Sequence, residues 1–396
     1  MKRVRRVLRS AVVPLLAVFS AFVVGSIFLF ITDIENLKNF PSDPAGTIVA
    51  GVVNVGNAYY ALIIGAFGDP TRIIAAIGTT DPKIIATAIR PLTETLVAAT
   101  PLIFAGLAVA IAFRTGTFNI GVEGQFVLGA LGATIAVLVF RDLPPPILLV
   151  VAIAFGTLTG AAWGFITGFL KARTGASEVI TTIMLNYVAA DIVLLALRSD
   201  FVKQTGSDAP ISKVLWTIVR VPLILDLPAI RLHWGFIVAL IMAVIVSWFI
   251  FKTTKGFELR AAGFNMTAAR YAGMSAGGSI ILAMTLSGAL AGLGGSFEVL
   301  GTVGQMSNDI SAGTGFNAIA LALLAGNRPL GVVLAALLFG ALRTGGGLMQ
   351  VKTGIPLDLL VFIQALVIMF VAAPVLIRNI YRMHPAPVDE KTASPL

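Results

Sequence analysis

Residues Arg114 to Gln125 read RTGTFNIGVEGQ and bring a guanidinium, a carboxylate, two carboxamides and three glycines into twelve positions. Glu123 stands where an apolar run begins, and an ionised carboxylate is costly there unless it is paired or wet. Asn119 and Gln125 offer amide donors and acceptors, while Gly116, Gly121 and Gly124 permit a tight turn with exposed backbone. Two readings follow. The block is a re-entrant element beside a transport path, or it is a helix-start turn in which Glu123 pairs with Arg114. A second block, Glu178 to Asn186 (EVITTIMLN), follows KARTGAS. Ser177 and Glu178 suit a helix start beside Lys171 and Arg173. Asn186 then falls two turns into an apolar run, where its amide needs a partner helix or water. GTGFN at 313–317, which holds Asn317, looks weakly like TGTFN at 115–119.

Other chemistry is missing. The pair Gly-Lys does not occur, so there is no GxxxxGK[ST] phosphate loop, and neither HExxH nor a DxxD cluster is present. The chain has no cysteine, which removes disulfides, thiolate metal sites and cysteine nucleophiles. Its two histidines, His233 and His384, read as a membrane-boundary and a tail residue. GALAGLGG at 288–295 lies inside an apolar run with no preceding strand, so it reads as close helix packing and not as a nucleotide fingerprint.

The elements that must carry these residues belong to a membrane. The 396 residues are 57% hydrophobic and 12% charged, against about a quarter charged in soluble domains. The net charge of +9 is scattered between apolar runs, which suits topology signals and not a nucleic-acid face. The expected fold is all-α and integral to the membrane, with about ten helices, several short or broken. The spans expected are 11–31, 93–113, 126–140, 147–170, 178–197, 234–251, 276–296, 313–326, 330–343 and 357–376. Residues 1–10 form a basic cytoplasmic N-terminus, 11–376 one permease domain and 377–396 a cytoplasmic tail. Basic residues are about twice as dense in the segments this places inside. Residues 46–68 carry no charge and are long enough to span, yet their asparagines, glycines and early Pro44 favour an external segment over 32–92. Broken backbone at membrane depth, as at Pro101 and the AGNRPLG turn, survives only in protein or beside a wet cavity, which suits a transporter.

The loop 252–274, KTTKGFELRAAGFNMTAARYAGM, is long, basic and helix-prone, with Gly263 and Asn265 as breakers. It reads as a short helix–turn–helix for a partner's groove, or as an amphipathic segment on the membrane surface. The series ATPLIFAGLAVAIAFRTGTFNIGVEGQF, SEVITTIMLNYVA, GFELRAAGFNMTAARYAGM and GTGFNAIALALLAGNRPLGVVLAALLFGALRTGG resembles permeases of ABC importers for nucleosides and simple sugars, over about 55–375. The resemblance implies a dimer of permease chains, here usually two different ones, and an extracytoplasmic solute-binding protein. It also implies separate ATPase subunits that bind the ATP, so that this chain needs no cofactor and is not itself an enzyme. It places the ATPase-coupling segment at Gly256, Glu258, Arg260, Gly263, Asn265, Ala268 and Gly273. Asn119, Glu123, Gln125, Asn186 and Asn317 are candidates for the translocation path. An ion-coupled secondary transporter is the competing reading. It needs ionisable groups at mid-membrane, and Glu94, Glu123, Glu178 and Glu258 fall near run ends or in loops, with Asp191 alone deeper.

Overall fold

The computed structural model describes residues 2–382; the last tail residues, with His384, lie outside them. The described chain is helical. In order it forms α1 (Lys2–Thr32), α2 (Ile34–Leu37), α3 (Pro44–Phe67), α4 (Pro70–Ala76), α5 (Pro82–Arg114), α6 (Val122–Val139), α7 (Pro145–Thr174) and α8 (Glu178–Arg198). Then come α9 (Gly235–Lys252), α10 (Thr254–Phe264), α11 (Met266–Tyr271), α12 (Ala276–Phe297), a π-helical turn at Glu298–Val303, α13 (Thr314–Leu324), α14 (Pro329–Thr353), α15 (Leu357–Ala372) and α16 (Pro374–Ile380). Among the described residues nine helical stretches are long and apolar enough to cross a membrane, and α13 and α15 are shorter apolar helices. Together these are the ten expected segments plus Pro44–Ala76. That stretch is long and apolar enough to cross, so its external placement rests on the sequence argument alone.

The chain divides into two compact units, with the boundaries falling inside α3 and α14. Among the described residues the smaller holds 2–61 and 346–382. In it Ala17 and Ala21 of α1 bury against Leu366, Val367 and Phe370 of α15, and Phe28 meets Phe362 with centroids 4.4 Å apart. On α3, Tyr59 donates its hydroxyl to the Phe22 carbonyl of α1 at 2.7 Å and accepts from the Ser26 hydroxyl at 3.2 Å, so its polar end is satisfied.

The larger unit, residues 62–345, holds every site discussed below. Its centre is the packing of α12 against α6 and α7. Glycines make it possible: a side chain at Gly288 would collide with the backbone of Gly160, one at Gly292 with that of Gly156, and one at Gly295 with that of Phe126. Membrane helices gain little from hydrophobic burial between them, so close backbone approach supplies the attraction. The GALAGLGG run is therefore packing, as its apolar setting suggests. Two prolines, Pro91 and Pro101, lie inside α5, which runs 33 residues.

The broken region 298–328 carries the functional geometry. After the π-helical turn the chain is irregular to Gly313, and α13 then spans eleven residues, about 16 Å at 1.5 Å per residue. The hydrocarbon core is about 30 Å thick, so α13 is a half-helix. Its end is a tight turn with Gly326 and Asn327 both at positive φ, which stops the helix and brings the chain back into α14.

Candidate functional site

The RTGTFNIGVEGQ block is built around α13. The Glu123 carboxylate accepts from the Ser311 hydroxyl and, at 2.7 Å, from the Gly315 backbone N–H in the first turn of α13. A carboxylate at a helix N-terminus meets orphan N–H donors and the positive end of the helix dipole. Arg114 lies at the other end: its Nε donates to the Asn327 carbonyl at 3.0 Å and a terminal nitrogen to the Gly326 carbonyl at 3.1 Å. A cation there meets the carbonyls of the turn that ends α13, on the negative side of the helix dipole. The expected Glu123–Arg114 pairing is thus replaced by a different arrangement. The two charges hold opposite ends of one half-helix: the carboxylate takes N–H donors at its start, and the guanidinium takes the carbonyls of the turn that follows its end.

The carboxamides hold the turn that presents these charges. Asn119 is fully buried; its Nδ2 donates to Gln125 Oε1 at 3.0 Å and to Ser287 Oγ at 2.8 Å. Ser287 in turn donates to the Ala108 carbonyl, which joins α5, α6 and α12 in one network. Asn186 donates to the Ile120 carbonyl at 3.0 Å and accepts from the Gly124 N–H at 2.9 Å, so α8 clasps the same turn. The interhelix bond expected for Asn186 is present. Ser177 occupies the N-cap position of α8 without a side-chain cap, and Glu178 pairs with Lys171 at 2.7 Å. Asn317 differs from the other path candidates. It is half-buried, and its amide makes no side-chain hydrogen bond among the described residues.

The 252–274 loop forms the helix–turn–helix read from its sequence, as α10 and α11. Asn265 is the break: its backbone is extended, and its side chain accepts from the Thr267 and Ala268 N–H groups at 3.0 Å to start α11. Gly256 packs on the Phe249 carbonyl and Gly273 turns at φ +79. Glu258 pairs with Lys255 at 2.9 Å. Gly263 is the contact that matters most. Its backbone lies on the 115–116 turn so closely that a Cβ would come within 2.6 Å of the Thr115 carbonyl carbon, and Gly116 is at positive φ against the Gly263 carbonyl. The exposed hairpin therefore bears directly on the turn that grips α13.

Beside it, Phe251, Phe257, Glu258, Arg260 and Met274 line a cavity of about 700 Å³. Arg260 lies over the Phe251 and Phe257 rings at 5.5 and 5.9 Å, and its Nε has no hydrogen-bond acceptor. Two residues missed in the sequence reading stand out on this hairpin: Phe264 is 95% exposed and Tyr271 90%. Large aromatics this bare mark an interface. An aromatic directly beside a helix breaker in a basic loop was the available signal.

Gly273 to Gly277 has the G-x-S-x-G spacing of a nucleophile elbow. No strand leads into it among the described residues, and the Ser275 Oγ accepts from the Gly278 N–H at 3.1 Å as the N-cap of α12. It is a capping serine. Among the described residues no cluster of three or more His, Asp or Glu could hold a metal.

The family model for the permease component of branched-chain amino acid transport systems matches residues 92–372. The chain belongs to this permease family. It is 44% identical over 290 residues to the guanosine ABC transporter permease protein NupP of Bacillus subtilis, covering 72% of this chain and 82% of that one. It is 38% identical to the nucleoside ABC transporter permease protein NupB of Lactococcus lactis, over 73% and 80% of the two chains. The glucose ABC transporter permease protein TsgB13 of Haloferax volcanii is 39% identical, over 70% and 75%. No solved structure matches the chain. The permease is thus a multi-pass membrane protein, and the matched region includes α6, α8, the α10–α11 hairpin and α13.

At the far end of the permease's larger unit, His233 is buried, not lodged at the surface as a plain boundary residue. Its Nδ1 accepts from the Gly235 N–H at 3.1 Å, so the ring proton sits on Nε2, 3.2 Å from the Thr302 hydroxyl. Burial first, then the nearby Arg220 and Arg231, push this imidazole down to about 4. Between about pH 6.5 and 4 the unfolded chain takes up a proton that the native state refuses. Stability therefore falls as pH falls through that window, by at most about 1.4 kcal/mol per unit, and levels off below it. Thermal melting of detergent-extracted protein from pH 7.5 to 4.5 should show His233→Gln losing less than the parent protein.

Proposed function

We propose that this permease is the translocation subunit of an ATP-driven importer and carries nucleosides across the cell membrane. ATP binds to separate ATPase subunits, a second permease chain completes the path and an extracytoplasmic binding protein delivers the solute. One observation carries the mechanical part of the reading: the Gly263–Gly116 backbone contact joins an exposed aromatic hairpin to a gripped half-helix. The solute class rests on the guanosine and nucleoside permeases, each near 40% identity over most of the chain. The glucose permease at comparable identity supports a second reading, a simple sugar.

In the proposed cycle the ATPase seats on α10 and α11, with Phe264 and Tyr271 as anchors and an acceptor for the Arg260 Nε. ATP-driven closure displaces the hairpin, and Gly263 transmits this to the 115–121 turn. Arg114 and Glu123 move with that turn, so α13 follows. Asn119, Gln125 and Asn186 keep the turn rigid enough to act as a lever. Asn317, on α13 with a free amide, is the member of the set placed to meet solute. The hairpin is cytoplasmic in this scheme, both termini lie inside and residues 32–92 stay external.

Two measurements test it. Proteoliposomes holding the complete complex should take up guanosine only with internal ATP; uptake driven equally well by an ion gradient without ATP would remove the importer reading. Tyr271→Asp and Phe264→Asp should each reduce co-purification of the ATPase by about tenfold, since a central aromatic anchor contributes at least about 1.4 kcal/mol. Full retention of the ATPase by both would place its seat elsewhere.

A further inference from the structure

The cavity beside the coupling hairpin lies at the end of a span. The apolar helix α9 closes on Lys252, and the chain turns at Thr253 into α10. Both feet of the hairpin line the cavity, with residues from 251–260 on one side and 272–275 on the other, around about 700 Å³. Small-ligand sites occupy about 300–1,000 Å³. Three cations, Lys252, Lys255 and Arg260, line it against one carboxylate, Glu258. Lys255 is engaged by Glu258 at 2.9 Å, and Arg260 lies over the Phe251 and Phe257 rings. Lys252 is exposed and makes no hydrogen bond or ion pair among the described residues, and the Thr254 hydroxyl makes none either. Ser275 Oγ accepts from the Gly278 N–H, which leaves its own proton to donate. The cavity is therefore net positive and lined by unused donors.

The outward face of α9 leads to it. Ile241, Val244, Ile245 and Trp248 are all exposed at helical spacing, and Lys252 continues the same face, while Ala239, Ala243, Val246 and Ile250 are buried on the other. An exposed tryptophan one turn before a lysine at the end of a span marks a membrane–water boundary. One continuous face thus runs from acyl-chain depth to a residue that lines the cavity. This continuity suits a lipid better than an acidic loop of a protein. Phe264 and Tyr271, the bare aromatics offered to the ATPase, do not line the cavity.

We infer that this cavity holds the phosphate headgroup of an anionic glycerophospholipid, whose acyl chains lie along Ile241, Val244, Ile245 and Trp248 of α9. Lys252 supplies a charge-assisted hydrogen bond, and the Thr254 and Ser275 hydroxyls donate to the remaining phosphate oxygens. Lys255 and Arg260 add to the positive field. A zwitterionic lipid would bring its own ammonium into that field and gain less. Basic pockets at the cytoplasmic ends of spans meet a leaflet rich in anionic lipid, which is where the proposed function sets this hairpin. A headgroup that touches both feet braces the hairpin from which Gly263 bears on the 115–116 turn. The site goes beyond the transport reading and is independent of which solute is carried.

The full complex is equilibrated with mixed micelles of phosphatidylglycerol and phosphatidylcholine, exchanged into neutral detergent, and its retained lipid identified by native mass spectrometry. The parent complex should keep phosphatidylglycerol over phosphatidylcholine by about tenfold, and Lys252→Gln should cut that preference about fivefold, the effect of one lysine near an anionic lipid. Arg270→Gln removes the same charge from an exposed position of α11 outside the cavity and should leave the preference unchanged. Lys252 is exposed at a helix end, so the variant should melt like the parent. Equal retention of the two lipids by the parent, or an equal loss in both variants, would remove the site. Release of the lipid by excess inorganic phosphate would make the occupant a free anion instead. Loss of the ATPase from Lys252→Gln with lipid retention unchanged would make the cavity part of the ATPase seat. If the lipid pattern holds but no ATPase co-purifies with the parent, the site stands and the importer reading falls.

Discussion

Gly263→Leu should reduce ATP-driven uptake about a hundredfold while the permease still folds, inserts and retains its ATPase. The expectation comes from geometry: even a methyl group at this position meets the backbone of Arg114, Thr115 and Gly116 at 2.6–2.8 Å. Backbone cannot rotate away as a side chain can, so the hairpin must lift from the turn. The local overpacking costs about 1–3 kcal/mol, too little to unfold a helical core that lies elsewhere. A coupling free energy of 1–3 kcal/mol corresponds to about 5–150-fold, and loss of the contact removes its full value. Gly263→Ala should fall between the two, and Gly116→Ala should behave similarly with added strain from its positive φ. The check is uptake and ATPase activity measured on the same proteoliposomes. Continued ATP hydrolysis without uptake identifies uncoupling, whereas normal uptake by Gly263→Leu would exclude this contact from the coupling route.

Glu123→Ala should be the most destabilising single change in the block. It leaves the Ser311 hydroxyl and the first N–H groups of α13 without an acceptor, and each buried orphan costs about 1–3 kcal/mol. A total of about 3–5 kcal/mol is expected, comparable with breaking a buried charge interaction. Glu123→Gln keeps the shape and one acceptor, so it should cost less in melting temperature and yet impair uptake. Arg114→Met removes the grip at the other end, where it donates to the Gly326 and Asn327 carbonyls. If α13 moves as one lever, the uptake defects of Glu123→Gln and Arg114→Met combined should not exceed that of the worse single variant by much, because either loss already frees the half-helix. Multiplying defects would mean that the two ends act independently.

The exposed hairpin connects these predictions with the proposed docking of an ATPase. Arg260 illustrates how. Its guanidinium lies 5.5 and 5.9 Å from two phenylalanine ring centroids while Nε lacks an acceptor, a state that suits a donor awaiting a partner. Arg260→Glu would lose both ring contacts and place a carboxylate where a donor now stands, so weaker coupling is expected from it as well.

Much of this was legible in the chain of residues. Hydropathy gave the apolar segments, since a run of about twenty apolar residues has only one stable arrangement in lipid, the helix. The GALAGLGG packing, the hairpin break at Asn265 and the interhelix role of Asn186 follow from local chemistry: small residues for close approach, a capping side chain, a buried amide that must be bonded. The resemblance carried by four ordered blocks placed the chain in its permease family.

What local rules left open were partners distant in sequence. Arg114 and Glu123 are nine positions apart, and nearness made a pair of them the natural expectation; the structure sends one to residues 326–327 and the other to 311 and 315. His233 and Thr302 likewise meet from separate stretches, so no spacing rule joins them. Sequence determined that this protein lives in a membrane, which apolar segments are helical and to which family it belongs, because those depend on composition and on neighbours along the chain, while α5 runs unbroken through Pro101 and α14 extends to Thr353, beyond the expected spans. Tertiary structure alone decided which charge serves which helix end and which glycine meets which backbone, because a half-helix exposes its unsatisfied groups only after the fold has placed them.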